Sequence, residues 1–140
     1  MTEQHIKHIG ELTPEPLLLA KILDASFRPG DFTNVAQAPD NLKRLLAEQG
    51  YDIATHDDIG GMLFASNVGV PVHSDDQLSA LWVLVEPDVP EHPTQIIVGG
   101  EVKDLSRNDV FIFDASVPHG VIASTTGLWA VFSTYVVKRS

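Results

Sequence analysis

In the stretch Pro71-Val72-His73-Ser74-Asp75-Asp76 an imidazole and a carboxylate stand two residues apart, between apolar runs. On a β-strand residues i and i+2 face the same way, so His73 and Asp75 project together while Ser74 projects away. That is the geometry of two neighbouring metal ligands, although a polar turn between two strands has the same composition. A metal site needs a third ligand, and the best candidate is His119, which follows the aromatic-rich run Asp109-Val110-Phe111-Ile112-Phe113-Asp114 and a short loop. Two neutral imidazoles and one carboxylate on one face of an octahedral ion form the ligand set of non-haem Fe(II) enzymes and leave three positions open. Mn(II), Co(II) and Zn(II) can occupy the same set. The chain contains no cysteine, which excludes disulfides, thiolate ligands and a Cys nucleophile and leaves nitrogen and oxygen as the only metal donors.

The remaining histidines have simpler explanations. His5 and His8 lie in a polar N-terminal segment and are expected to be solvated. His92 sits in a Pro-rich loop, and His56 with Asp57 and Asp58 fits a polar turn leading into the next strand.

The elements that would position the three ligands are written in the hydrophobic period, which changes near residue 60. Before it, Leu17, Leu18, Leu19, Ile22 and Leu23 follow helical spacing until Pro29 and Gly30, predicting a helix over roughly residues 14 to 26. A second, short helix starts at "PDNLKRLLAEQG", with Asp40 as N-cap, Leu42, Leu45 and Leu46 as its apolar stripe and Gly50 as its stop. From Gly61 onward come short β-rich runs bounded by Gly, Pro, Asn and Asp: "MLFASNV", "SALWVLVE", "TQIIVGG", "EVKDL", "DVFIFD", "HGVIAS" and "LWAVFSTYVV". No helix-length segment separates them, which disfavours a parallel sheet and favours an antiparallel sandwich or barrel. Gly99-Gly100 reads as a two-residue hairpin turn, which requires positive φ.

At 140 residues, with 44% apolar and 20% charged residues, the chain has the length and composition of a single globular domain: 1–60 as helical support and 61–140 as the β core. The formal charge of −10 sets up a field that repels polyanions. Lys43-Arg44 and Lys138-Arg139 are isolated pairs on a helix face and at a terminus, so duplex nucleic acid is not an expected partner. No stretch has the plan of a signal peptide or the length of a membrane span. The expectation is a cytoplasmic protein with no membrane partner.

Beyond these local patterns, "VPVHSDDQLSALWVLV" together with "LSRNDVFIFDASVPHGVIASTTGLWAVFS" resembles the H-x-D…H core of the Fe(II)/2-oxoglutarate-dependent dioxygenases. The resemblance covers about residues 61 to 137. It implies a mainly β fold with N-terminal helices, a double-stranded β-helix or jelly-roll barrel. It also implies His73, Asp75 and His119 as ligands to Fe(II), with 2-oxoglutarate as cosubstrate, O2 as oxidant and a small molecule as the substrate oxidised. No protein acid or base is required for that chemistry.

One position departs from the family. Such enzymes carry a basic residue, most often Arg, about ten residues after the distal His, where it pairs with the far carboxylate of 2-oxoglutarate. Here Trp129 stands there, and Trp fills a pocket rather than holding an anion. The cations left to serve are Lys103, Arg107, Lys138 and Arg139. Lys103, in the hairpin, is the first choice as cosubstrate anchor, and Arg107 with Trp129 is expected at the substrate. If the last strand is regular, Trp129, Val131, Ser133 and Tyr135 share a face, and Ser133 and Tyr135 offer hydroxyls to the cosubstrate. Asn67 has the parity to join them.

Two other functions fit the same residues. One uses the ligands without 2-oxoglutarate, in a cupin-like oxygenase, although cupins carry H-x-H followed by Glu rather than H-x-D. The other is a metal-free jelly roll used for binding or assembly. The run "LWAVFSTYVV" is either a central strand or an edge that pairs with a second copy in a homo-oligomer.

Overall fold

The continuous apolar run Leu78-Ser79-Ala80-Leu81-Trp82-Val83-Leu84-Val85 forms a strand buried along almost its whole length, as expected where a sheet is covered on both faces. A computed structural model of the chain describes residues 5–14, 16, 32–35, 38–54, 61–66, 69–74, 78–86, 93–123 and 129–139. Within them lie β1 (Ile6–Glu11), β2 (Phe32–Val35), α1 (Asp40–Glu48), β3 (Tyr51–Ile53), β4 (Gly61–Ser66), β5 (Val70–His73), β6 (Leu78–Val85), β7 (Gln95–Val98), β8 (Glu101–Asp104), β9 (Asp109–Asp114), β10 (His119–Ile122) and β11 (Trp129–Lys138).

Strands β4 to β11 are divided between two antiparallel sheets, with the orders β9-β6-β11-β4 and β5-β10-β7-β8. That eight-strand exchange between facing sheets is the jelly roll. The first sheet is extended by β1 beside β9, by β2 beside β4 and by β3 on the far end of β11. Its two faces have different partners. Ala80, Trp82, Leu84, Val110, Ile112 and Phe132 pack outward into one core with Leu42 and Leu46 of α1. Leu81, Val83, Phe111, Phe113, Trp129 and Val131 point inward and join Ile96 and Val98 of the second sheet. Each large side chain so buried contributes about 1.5–3 kcal/mol. The apolar period therefore specifies both the sheet and its two coverings.

The turns follow their residue chemistry. Gly99 and Gly100 have φ of 55° and 87° and join β7 to β8 in the two-residue loop expected of them. Gly50, at φ 87°, ends α1, and its carbonyl accepts the N–H of Arg139 at 2.9 Å. Asp40 is not the N-cap: Pro39 holds that position with no side-chain cap bond, and Asp40 lies inside the first turn, where its charge complements the helix dipole.

The larger correction concerns residues 1–60, which contribute β1, β2 and β3 to the first sheet and not helix alone. In β1 the pairing with β9 slips between His8 and Gly10. This bulge interrupts the alternation that marks a strand, and the two apolar anchors go to opposite faces, Ile6 inward and Ile9 outward. Strands β2 and β3, of four and three residues, are too short to carry a period. The helix expected over 14 to 26 falls, apart from its first residues, outside the described residues. His8 is not simply solvated: its Nε2 lies 3.1 Å from Oδ1 of Asp109 and its ring packs edge-on to Phe111. Among the described residues no helix is long and apolar enough to cross a membrane.

Glu86, at the end of β6, gives a stability prediction with a definite sign. Its Oε1 accepts the Thr94 N–H at 2.9 Å, while Oε2 is buried with no hydrogen-bond partner among the described residues. Burial raises its pKa above 4.5, against the opposing Thr94 hydrogen bonds and helped by the nearby Asp104 charge. The folded chain thus holds this proton more tightly than the unfolded chain, and stability falls as pH rises from the unfolded value through the folded one. Glu86→Gln should stabilise the protein at pH 7 by on the order of 1 kcal/mol after allowance for partial exposure. The gain over wild type should shrink in melts below pH 4.5; a gain that does not change with pH would contradict the account.

Candidate metal centre and cavity

The site is built by the second sheet. β10 pairs with β5 so that His119 stands directly opposite His73. Their ring centroids are 4.4 Å apart at an interplanar angle of 57°, a separation that suits two imidazoles on one ion. The register shifts between His119 and Val121, and glycine makes that close approach possible: a Cβ on Gly120 would lie 2.7 Å from the Val70 carbonyl oxygen, and one on Gly69 would lie 2.5 Å from that of Val121. Either added methyl would push β5 away from β10 and part the histidines.

Both rings are oriented by the same local device. Nδ1–H of His73 donates to the Pro71 carbonyl at 2.9 Å, and Nδ1–H of His119 donates to the Val117 carbonyl at 2.8 Å. A carbonyl can only accept, so each neutral ring carries its lone pair on Nε2, the atom a metal would take. His119 is buried and its ring meets Phe113 at 5.1 Å, whereas His73 is exposed at the rim. The loop that delivers His119 is held at three points. Ser116 donates its N–H and its hydroxyl to Oδ1 of Asp114, the Val117 N–H reaches the Asp114 carbonyl, and the Gly99 N–H reaches Pro118. The Ser116 hydrogen bonds keep the Asp114 carboxyl below its ordinary pKa of 3.8, so this clasp stays charged through neutral pH.

Asp75 lies outside the described residues, as do Asn67, His56 and His92. Among the described residues no group of three His, Asp or Glu side chains gathers. The described part of the expected triad is the His73–His119 pair.

The pair opens on a cavity of about 480 Å³ between the two sheets. Trp129, Val131, Ser133 and Tyr135 all line it, on the single face that their parity predicts. Cross-strand register arranges the first sheet in rows. Phe113, Ser79 and Tyr135 lie side by side on β9, β6 and β11, and the contact of Phe113 with His119 sets this row at the histidine end. Leu81, Ser133 and Met62 form the next row, then Val131 with Phe64. Trp129 closes the far end against Phe64, with ring centroids 5.4 Å apart. Along β11 it lies six residues from Tyr135, roughly 20 Å.

No cation lines this space among the described residues. Of the nine Lys and Arg residues in the chain, Lys7, Lys43, Arg44, Lys103, Arg107, Lys138 and Arg139 are described and all are exposed; Lys21 and Arg28 lie outside the described residues. Lys103, the expected anchor, pairs with Ile96 and so shares the inward face, but β8 is the edge strand of its sheet and carries Lys103 beyond the lining. Arg107 sits in the exposed turn before β9, away from the cavity. Arg139 is held by Asp52, Nε to Oδ1 at 2.8 Å. Sequence reasoning overlooked Ser79, which is 4% exposed. It is the one polar residue at the inward positions 79, 81 and 83 of an otherwise apolar strand, a signal legible in hindsight.

No family profile and no curated protein matches the chain. Among solved structures it is similar to a mutant of salicylate 1,2-dioxygenase from Pseudoaminobacter salicylatoxidans, at 14% identity and a TM-score of 0.44. The match covers 74% of this chain and 37% of that one. The jelly roll stands on the strand order itself.

Proposed function

We propose that the chain is a mononuclear metal enzyme, an oxygenase that acts on a small molecule in the jelly-roll cavity. His73 and His119 would hold the metal through Nε2, with Asp75 as the carboxylate ligand. The observation that carries this reading is the cross-strand pairing of the two histidines, each with Nδ1 fixed on a backbone carbonyl. Such outer hydrogen bonds hold ligating histidines in the metal-binding tautomer. A bound Fe(II) would supply redox chemistry with O2 at the cavity mouth.

The chain's own contribution is to orient the two rings and to keep the reacting molecule in a largely apolar space that excludes water. Phe113 supports His119 from the first sheet, and the Asp114–Ser116 clasp fixes the loop between them. The absence of a cation from the described lining favours the cupin-like alternative over the use of 2-oxoglutarate. A dicarboxylate enclosed there would leave its far charge uncompensated, and the net charge of −10 opposes its approach.

Anaerobic equilibrium dialysis against Fe(II), Co(II) and Mn(II) tests the metal reading without any substrate. Wild type should retain about one ion per chain, and Asp75→Asn should retain less by roughly tenfold or more in affinity. A wild-type chain that retains no metal would leave the metal-free binding role and overturn the proposal.

A further inference from the structure

The distribution of polar groups along the cavity identifies the kind of molecule it takes. Hydroxyls occur at the histidine end: Ser79 and Tyr135 share a row with Phe113, and Ser133 lies in the next. Beyond them the described lining is Phe64, Val131 and Trp129; Ser66, directly across from Trp129, is buried but is not part of that lining. The space of about 480 Å³ is within the range of small-molecule pockets, which fix orientation with a few polar groups and gain affinity from apolar burial.

We infer that the substrate is a neutral, predominantly apolar molecule with one hydroxyl or carbonyl, bound with that group near Ser79 at the histidine end and its apolar body directed toward Trp129. The inference rests on the metal-enzyme reading for the word substrate; the binding itself depends only on the cavity. Two physical terms support it. An apolar body gains about 25 cal/mol for each Å² it removes from water, and the described lining of the deep end, Phe64, Val131 and Trp129, offers apolar surface. In the metal-free protein a carboxylate in the same place has no Lys or Arg of the described lining to meet it, and burial of an uncompensated charge is costly. Ser79 lines the cavity from the otherwise apolar inward face of β6, where its hydroxyl can exchange a hydrogen bond with a ligand hydroxyl or carbonyl.

The test uses four probes on the full chain, 2-naphthol, naphthalene, 2-naphthoate and 2-oxoglutarate, titrated calorimetrically into chelator-treated protein. In the metal-free protein 2-naphthol should bind at least tenfold more tightly than 2-naphthoate, and 2-oxoglutarate should give no heat of binding. Ser79→Ala should weaken 2-naphthol by about fivefold while leaving naphthalene, which has no hydroxyl, unchanged. Tighter binding of either carboxylate than of 2-naphthol, or no binding of any neutral probe, overturns the inference. Failure of the metal reading is distinguishable, because it would show as loss of metal retention with 2-naphthol binding intact.

Discussion

His119→Ala should lower affinity for Fe(II) by at least about 100-fold, the upper range already seen when outer partners of a metal ligand are removed, and should leave the fold in place. The imidazole is buried at the cavity mouth, paired across strands with His73 and supported by Phe113. Its loss removes one of two described nitrogen donors, while the hydrogen bond it gives up to the Val117 carbonyl is worth about 1 kcal/mol net. Metal titration should therefore change far more than the denaturant midpoint. Equal losses in both would mean that His119 is a structural residue and that its pairing with His73 serves packing.

Trp82→Ala should have the largest effect on stability, about 3–5 kcal/mol, a large share of the roughly 5–15 kcal/mol available to a domain. Trp82 is fully buried at the centre of β6 on its outward face. Its indole N–H donates to the Leu12 carbonyl at 3.1 Å, joining β6 to the segment after β1. Truncation leaves a cavity between the sheet and α1 and strands that carbonyl without its donor. Urea unfolding should show the midpoint falling with little change in slope, and Trp82→Phe should recover part of the loss. A cost below 1 kcal/mol would mean that the layer outside the first sheet contributes little to stability.

The parts of this molecule that could be read in advance are those set by short-range rules. The strand runs from Gly61 onward, the Gly99-Gly100 turn and the shared face of Trp129, Val131, Ser133 and Tyr135 follow from period and turn chemistry alone. The approach of His73 to His119 was suggested by their strand settings, but the direct register depends on Gly69 and Gly120, whose role emerges only once β5 and β10 lie side by side. The strand β1 escaped because its bulge places Ile6 and Ile9 on opposite faces. Lys103 was misplaced for a different reason: its parity is inward, but only the sheet order shows that β8 is an edge. Ser79 was hidden by its neighbours, since a serine in a buried strand looks like a tolerated small residue until the cavity beside it is known.

One experiment tests both the proposed metal site and the lack of a cation in the described cavity lining to hold a dicarboxylate. Fe(II) is added anaerobically to metal-free wild type, followed by 2-oxoglutarate, while bound iron and visible absorbance are measured. The account predicts about one iron per chain and no visible charge-transfer band on addition of 2-oxoglutarate. Appearance of that band, or failure of the chain to bind iron at all, would contradict it.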